Sequence, residues 1–478
     1  MLCLLASLLL VTLCACAAQE DGNKEESVYH DTSNVEQTLP EEHTEAEDPS
    51  EEPEEVKNEA SQPKKDVFED GPLAGMQKNS IDVAEKALKN AKDSKKEEAV
   101  RKAVEEDFIW PDGSVYSGDM VNGKAEGKGK ITWPDGGTYE GEWKNNKRHG
   151  MGKETYADGS SYNGEWKYNM RDGQGKMTWV YDGKYIETYE GEWKNDEFHG
   201  QGKHVWPDGS SYEGELKNGN PDGYGKETIP GSYTYEGQWV DGQYNGQGKL
   251  TEADGTCYEG EFEDGGCIGQ GKITWANGKV YEGEWKNASQ NGQGKMTWPD
   301  GKVHEGQWKD GKREGYGKTT LADGTIFEGQ WKNDTIDGQG KLTTSNGMVY
   351  EGQWKNGVRE GQGKMKEADG SIYEGQWKNG TREGQGTMTW PSGEKYEGEW
   401  KKDQRNGIGK NTWADGTVYE GEWLADKIEG QGTMIWPDGR VYEGQWKNDN
   451  INGQGKLTDT DGTVYEGDWV DGGLVKQK

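Results

Sequence analysis

The stretch YEGEWKNASQNGQGKMTWPDGKV, residues 281–303, decides the fold, because the chain repeats it. Counted on the leading tyrosine, copies begin at Tyr116, Tyr139, Tyr162, Tyr189, Tyr212, Tyr235, Tyr258, Tyr281, His304, Phe327, Tyr350, Tyr373, Tyr396, Tyr419, Tyr442 and Tyr465. Fourteen of the fifteen intervals are 23 residues, and the exception, 27, carries an insertion near Val180 to Thr188. A small unit copied in tandem reduces the fold question to what one copy and its neighbours can bury.

With the tyrosine as position zero, positions 0, +2 and +4 are Tyr, Gly and Trp, while +1 and +3 are mostly Glu with Glu or Gln. Alternation with period two predicts a half-buried strand. Asn-Gly and Asn-Asp within +5 to +8 are hairpin-turn signals. GQGKMT then supplies a second strand, with +11, +13, +15 and +17 facing inward and Lys at +14 and Thr at +16 outward. PDG, ADG or SNG at +18 to +20 turns the chain into the next tyrosine. Each copy therefore reads as one β-hairpin, marginal alone and stabilised by stacking. Bare glycines at +2, +11 and +13 are expected to let aromatic rings lie on the backbone. The rings expected to carry the structure include Tyr139, Trp143, Tyr281, Trp285, Tyr350, Trp354, Tyr373, Trp377, Tyr442 and Trp446.

All 22 tryptophans fall into this pattern, thirteen at +4 and nine in the slot before the Asp-Gly turn, counting Trp110. Ile229 and Glu252, and then Leu321, Thr344 and Glu367, replace the second ring. These two stretches are expected to be looser or open to a partner.

Only 29% of the 478 residues are hydrophobic while 76 are glycine, too little aliphatic material for a three-layer core. Net charge is −33. Such a field repels nucleic acid and anionic headgroups unless a local basic face overcomes it, so no nucleic-acid partner is expected.

Residues 1–18 form a short apolar segment with a small-residue exit, which suits a signal peptide. Leu13-Cys14-Ala15-Cys16 resembles a bacterial lipobox that would make Cys16 the lipidated residue, while Ala15-Cys16-Ala17 reads equally as an ordinary secretory cleavage site. The expected location is secreted or lipid-anchored at the cell surface. Residues 19–79 read as a disordered acidic linker, 80–107 as a charged helix spaced on Ile81, Leu88 and Val104, and 108–472 as the repeat array. Cys257 and Cys267, at −1 and +9, would lie at opposite ends of a hairpin, too far apart to bridge.

In the form YEGEWKNGKRHGQGKMTWPDG the copies resemble the MORN repeat, the membrane occupation and recognition nexus motif, over about residues 108–472. The resemblance implies an all-β fold, an elongated, twisted antiparallel meander of about sixteen stacked hairpins. His304 and Phe327 at the lead position, and Met120, Leu216 and Phe262 at +4, depart from it while keeping a ring or apolar body.

No catalytic, cofactor or metal site emerges. Gly317-Lys318-Thr319 fails the phosphate-loop pattern because Lys312 stands where its first glycine belongs. Asp459, Asp461 and Gly462 fit part of a calcium loop, but Leu457 holds the first ligand position, and a tight turn explains them better. The six histidines lack metal spacing. Acidic residues recur in every copy, whereas a catalytic residue should be singular. The expected function is a non-catalytic scaffold for a protein partner. The alternatives are a phospholipid-binding module, whose positives would come from Lys147-Arg148 or Lys312-Arg313, and an acidic, calcium-associated matrix protein. Asn287, Asn333 and Asn379 form N-x-[ST] sequons at +6, open to glycosylation in a cell that performs it.

Overall fold

The computed structural model describes residues 107–478. The sequence readings for the signal peptide, Cys16, the acidic linker and the charged helix lie outside the described residues. Two compact units divide the chain at Asn220/Pro221, and each is an antiparallel meander in which every strand pairs with the next. In the first, strands run from Phe108–Ile109 to Ser211–Lys217. In the second they continue through Tyr233–Val240 to Gly473–Gln477. Among the described residues there is no helix, as the period-two alternation predicts, and hence none long and apolar enough to cross a membrane.

The copy beginning at Tyr281 shows how one unit closes. Strand Val280–Lys286 turns at Asn287 and Ala288, whose φ values of 49° and 60° are those of a type I′ turn, into strand Ser289–Thr297. The chain then turns at Trp298–Gly301, where Gly301 has φ 92° and Asp300 Oδ1 accepts the Lys302 N–H at 2.9 Å. Asn287 suits the first turn and Asp300-Gly301 the second, whereas Ala288 is held at a left-handed φ that alanine rarely adopts.

Across the hairpin, Tyr281 faces Met296 and Gly283 faces Gly294, after which the register shifts. The Tyr281 ring folds down over Gly294: a Cβ there would lie 2.3 Å from the hydroxyl oxygen. That hydroxyl donates to the Glu284 carbonyl at 3.0 Å. Trp285 stands edge-on between two tyrosines, 5.3 Å from its own Tyr281 and 5.2 Å from Tyr258 of the preceding copy. Its indole N–H reaches back to the Gly271 carbonyl of that copy at 3.1 Å. The same arrangement recurs at Tyr350, Trp354, Tyr373 and Trp377, and in the first unit at Tyr139 and Trp143. The lead tyrosines are buried, except Tyr465 of the last copy at 37% exposure, and the +4 tryptophans nearly so.

Gly +11 departs from its expected role. It meets no ring; at Gly292, with φ 71°, a Cβ would strike the Glu284 carboxylate. Glu284 Oε1 accepts the Gln293 N–H at 3.0 Å where the register shift breaks the ladder. The Glu or Gln at +3 therefore caps a bulge, and Gly +11 supplies its left-handed corner.

Position +15, usually Met, Leu or Ile, holds buried polar residues in five copies, each with its own partners. Glu154 takes Arg148 and Tyr156, His204 takes Glu187, Glu227 takes Tyr233 and Tyr244, Thr319 takes His304, and Asn411 takes Glu394 and Arg405. Near Ile229 and Glu252, Tyr233 and Tyr244 are buried on the inner face, Tyr244 stacking on Tyr235 from the +9 position.

Gly363→Ala would push a methyl to 2.4 Å from the Tyr350 hydroxyl. It should cost about 1–3 kcal/mol, seen in urea unfolding, with faster amide exchange concentrated in strands Val349–Lys355 to Ile372–Lys378. Unchanged exchange there would mean the ring does not rest on that glycine.

Candidate functional site

The outer face of each sheet carries +1, +3, +12 and +14, with glycines between. Lys +14 bridges towards the next Glu +1, at 2.7 Å for Lys295–Glu305, 2.9 Å for Lys318–Glu328 and 3.1 Å for Lys364–Glu374. These pairs are about half exposed, so each contributes little to stability while cancelling charge along one row. Glutamine dominates the parallel row formed by +12 and +3, as in Gln339–Gln353 and Gln362–Gln376.

Between the rows the backbone column Gly +2/Gly +13 raises no side chain outward, and an open groove results. Three stretches of it are lined by Gln247 to Gly283, by Gln362 to Glu420, and by Gln431 to Lys478. Position +12 is large and exposed at Met151, Tyr224, Tyr316 and Ile408, of which Tyr224 (55% exposed) and Ile408 (57%) line these stretches. The groove was missed in the sequence reading, because its floor is the outer side of backbone whose residues point inward towards the tyrosine rings, and its walls are cross-strand neighbours. The signal was present in the fixed +1/+14 charge pattern.

The arginines of the basic dipeptides invoked for phosphate binding are already engaged on the inner face, while Lys312 stays exposed. Arg148 stacks 4.3 Å over Trp166 and pairs with Glu154. Arg313 stacks 4.3 Å over Trp331 and reaches Asp334 Oδ1 at 3.1 Å. Both are buried, at 7% and 5% exposure. Arg171, Arg359, Arg382 and Arg405 use the same +9 position over the next tryptophan. Stacked, desolvated guanidinium groups of this kind contribute to the fold.

Among the described residues no group of His, Cys, Asp and Glu could hold a metal ion. Asp459 to Thr463 forms a tight turn, with the Gly462 N–H on the Asp459 carbonyl and Asp461 Oδ1 accepting the Thr463 N–H at 2.8 Å. Asn287, Asn333 and Asn379 all occupy exposed turns at φ 46° to 50°. Cys257 is a free thiol facing Thr274, while Cys267 faces Phe262 at the other end of the hairpin.

Two buried titratable groups stand out on the inner face. Burial raises the Glu227 carboxyl, partly opposed by the Tyr244 and Tyr233 hydroxyls. His304 fills the tyrosine slot, its ring 5.3 and 5.2 Å from Trp308 and Trp331. Burial, with Arg313 and Lys302 nearby, lowers its pKa to about 3. Its Nε2 and the Trp331 indole nitrogen are both buried without a hydrogen bond.

A family model described as the MORN repeat matches fifteen consecutive segments from residue 116 to 464. No curated protein matches the chain. Among solved structures, the TCP10 domain of Danio rerio CPAP in complex with a peptide of Danio rerio STIL is 17% identical, covering 51% of this chain and 98% of that one, at a TM-score of 0.22. A catalytically inactive virginiamycin B lyase from Staphylococcus aureus with quinupristin is 13% identical, covering 63% and 97%, at a TM-score of 0.11.

His304→Tyr combined with Thr319→Met, the pairing that Tyr281 and Met296 show, restores the hydroxyl that elsewhere caps the +3 carbonyl without leaving the buried Thr319 hydroxyl unpartnered. It should gain about 1 kcal/mol at neutral pH. Because folding lowers the histidine pKa, its neutral form favours the native state above about 6.5, and that stability is lost as pH falls towards 3. The advantage of the variant in urea titrations should therefore widen over this window; a constant difference would contradict the assignment.

Proposed function

The chain belongs to the MORN repeat family, and from that premise we propose that it is a non-catalytic scaffold whose outer groove holds an extended segment of a partner protein. The observation that carries this reading is the groove itself. It runs across many strands and is floored by backbone that a ligand can approach closely. Its walls offer carboxamides and paired charges, a mixture suited to hydrogen-bonding a peptide.

The phospholipid alternative keeps only the lysine of each basic pair, because the arginines invoked for it lie under the sheet against tryptophan. The test is a selection of random displayed peptides on the full chain, beside flotation with neutral and acidic vesicles. Peptides should be enriched whose binding falls about tenfold when Gln385→Trp fills the groove, about 1.4 kcal/mol. Salt-sensitive binding to acidic vesicles without groove-dependent peptides would favour the lipid module.

We further propose that the scaffold is secreted or held at the cell surface. The apolar stretch of residues 1–18 and its small-residue exit support this, and Cys16 is the residue a lipid would occupy. Intact mass of the protein recovered from its own cells should show loss of the leader, with or without an added lipid. Glycosidase treatment would remove further mass if Asn287, Asn333 or Asn379 carries a glycan. Recovery of the chain with residues 1–18 attached would overturn the placement.

A further inference from the structure

Three strands of the second unit depart from the Gly-Gln-Gly of their neighbours, and they do so at equal intervals: GYGKET, GYGKTT and GIGKNT, residues 223–228, 315–320 and 407–412. Tyr224, Tyr316 and Ile408 therefore stand at +12 four copies apart, with glutamine at +12 in the three copies of each interval. Gln270 is the middle one of the first interval and Gln362 of the second.

Tyr224 does not stay on its own wall. It sits opposite Gln238, yet its hydroxyl donates at 3.1 Å to Glu236 Oε1, on the far wall beyond the paired Gly225 and Gly237. The ring therefore lies across the groove. The floor is covered at all three places: Gly225, Gly317 and Gly409 are buried, whereas the +13 glycines of the other copies in this unit stay partly open. The open stretches also end at these side chains. One runs from Tyr224 to Gly283, short of Tyr316, and another from Gln362 to Ile408 and the strand facing it.

We propose that Tyr224, Tyr316 and Ile408 divide the groove of this unit into two equal compartments, each taking one extended segment of a partner protein about nine residues long, with a polar middle and apolar ends. Between successive dividers lie three open copies, six strands at ~4.8 Å, or about 29 Å of floor. An extended chain advances ~3.3 Å per residue as a strand and ~3.1 Å as polyproline II, so about nine residues fill the compartment in either form. Carboxamides line the middle, and they both donate to and accept from a backbone. At each end the segment meets a phenol ring or an isoleucine, exposed apolar surface that an apolar side chain would cover. A longer chain has to climb over the divider and gives up the glycine floor there.

The inference rests on the groove reading above, and one experiment separates their failures. Random displayed peptides longer than one compartment are selected on the full chain, with the double variant Gln270→Tyr and Gln362→Tyr as counter-target. Each substitution sets a new divider in the middle of one compartment, and tyrosine already stands at +12 in two copies of this unit, so both should keep the fold. Each enriched peptide should lose about tenfold in affinity with one single variant and keep it with the other, and should tolerate trimming to about nine residues. Tyr316→Gln removes the shared divider, and selection on it should yield peptides that both variants weaken. Peptides of that kind from the wild type, or none of them from Tyr316→Gln, would overturn the compartments and leave the scaffold reading standing. If no peptide separates the wild type from the double variant, and Gln385→Trp is equally without effect, both readings fall.

Discussion

A tyrosine ring lying flat on a glycine is the contact on which the rest of this structure depends. The ring can reach the sheet only because the facing position has no Cβ, and its edge and hydroxyl then fix the +3 carbonyl. Tryptophan stands against two such rings, and edge-to-face aromatic pairs contribute ~0.5–1.5 kcal/mol beyond their buried area. Repetition of this contact compensates for the thin aliphatic content. Buried area comes from large rings folded onto their own sheet, so a chain with 29% hydrophobic residues needs no second layer to cover it.

Much of this was legible in the sequence. The alternation of Tyr, Gly and Trp against Glu and Gln identified strands, and Asn-Gly and Asp-Gly identified turns whose positive φ values the structure contains. What escaped was set by register. Gly +11 and Gly +13 look alike in G-x-G, yet one is the corner of a bulge and the other the floor under a ring. Lys312-Arg313 read as a surface basic pair, but adjacent strand residues point to opposite faces, and Arg313 goes inward onto Trp331. The groove escaped for the same reason, since cross-strand partners are invisible until the pairing is known.

The two faces of each sheet divide stability from recognition. Inner positions are tied to one another by rings, stacked arginines and backbone caps, so substitutions there act on the fold. Outer positions are exposed and weakly coupled, which leaves their side chains free to vary without unfolding the hairpin beneath. The departures from the repeat on that side, Tyr224, Tyr316, Thr387, Ile408 and Thr433, are therefore the residues through which one stretch of groove differs from another.

The buried polar residues at +15 have a consequence for how such a chain avoids confusing its own copies. Near-identical hairpins invite mispairing, in which one unit takes the place of its neighbour and the array closes around a looped-out copy. Glu227 in a slot that lacks Tyr244, or Glu154 in one that lacks Arg148, would leave a buried carboxylate without its partner. These residues give individual copies an address. They penalise assembly in the wrong order in a chain whose aromatic contacts alone would accept almost any.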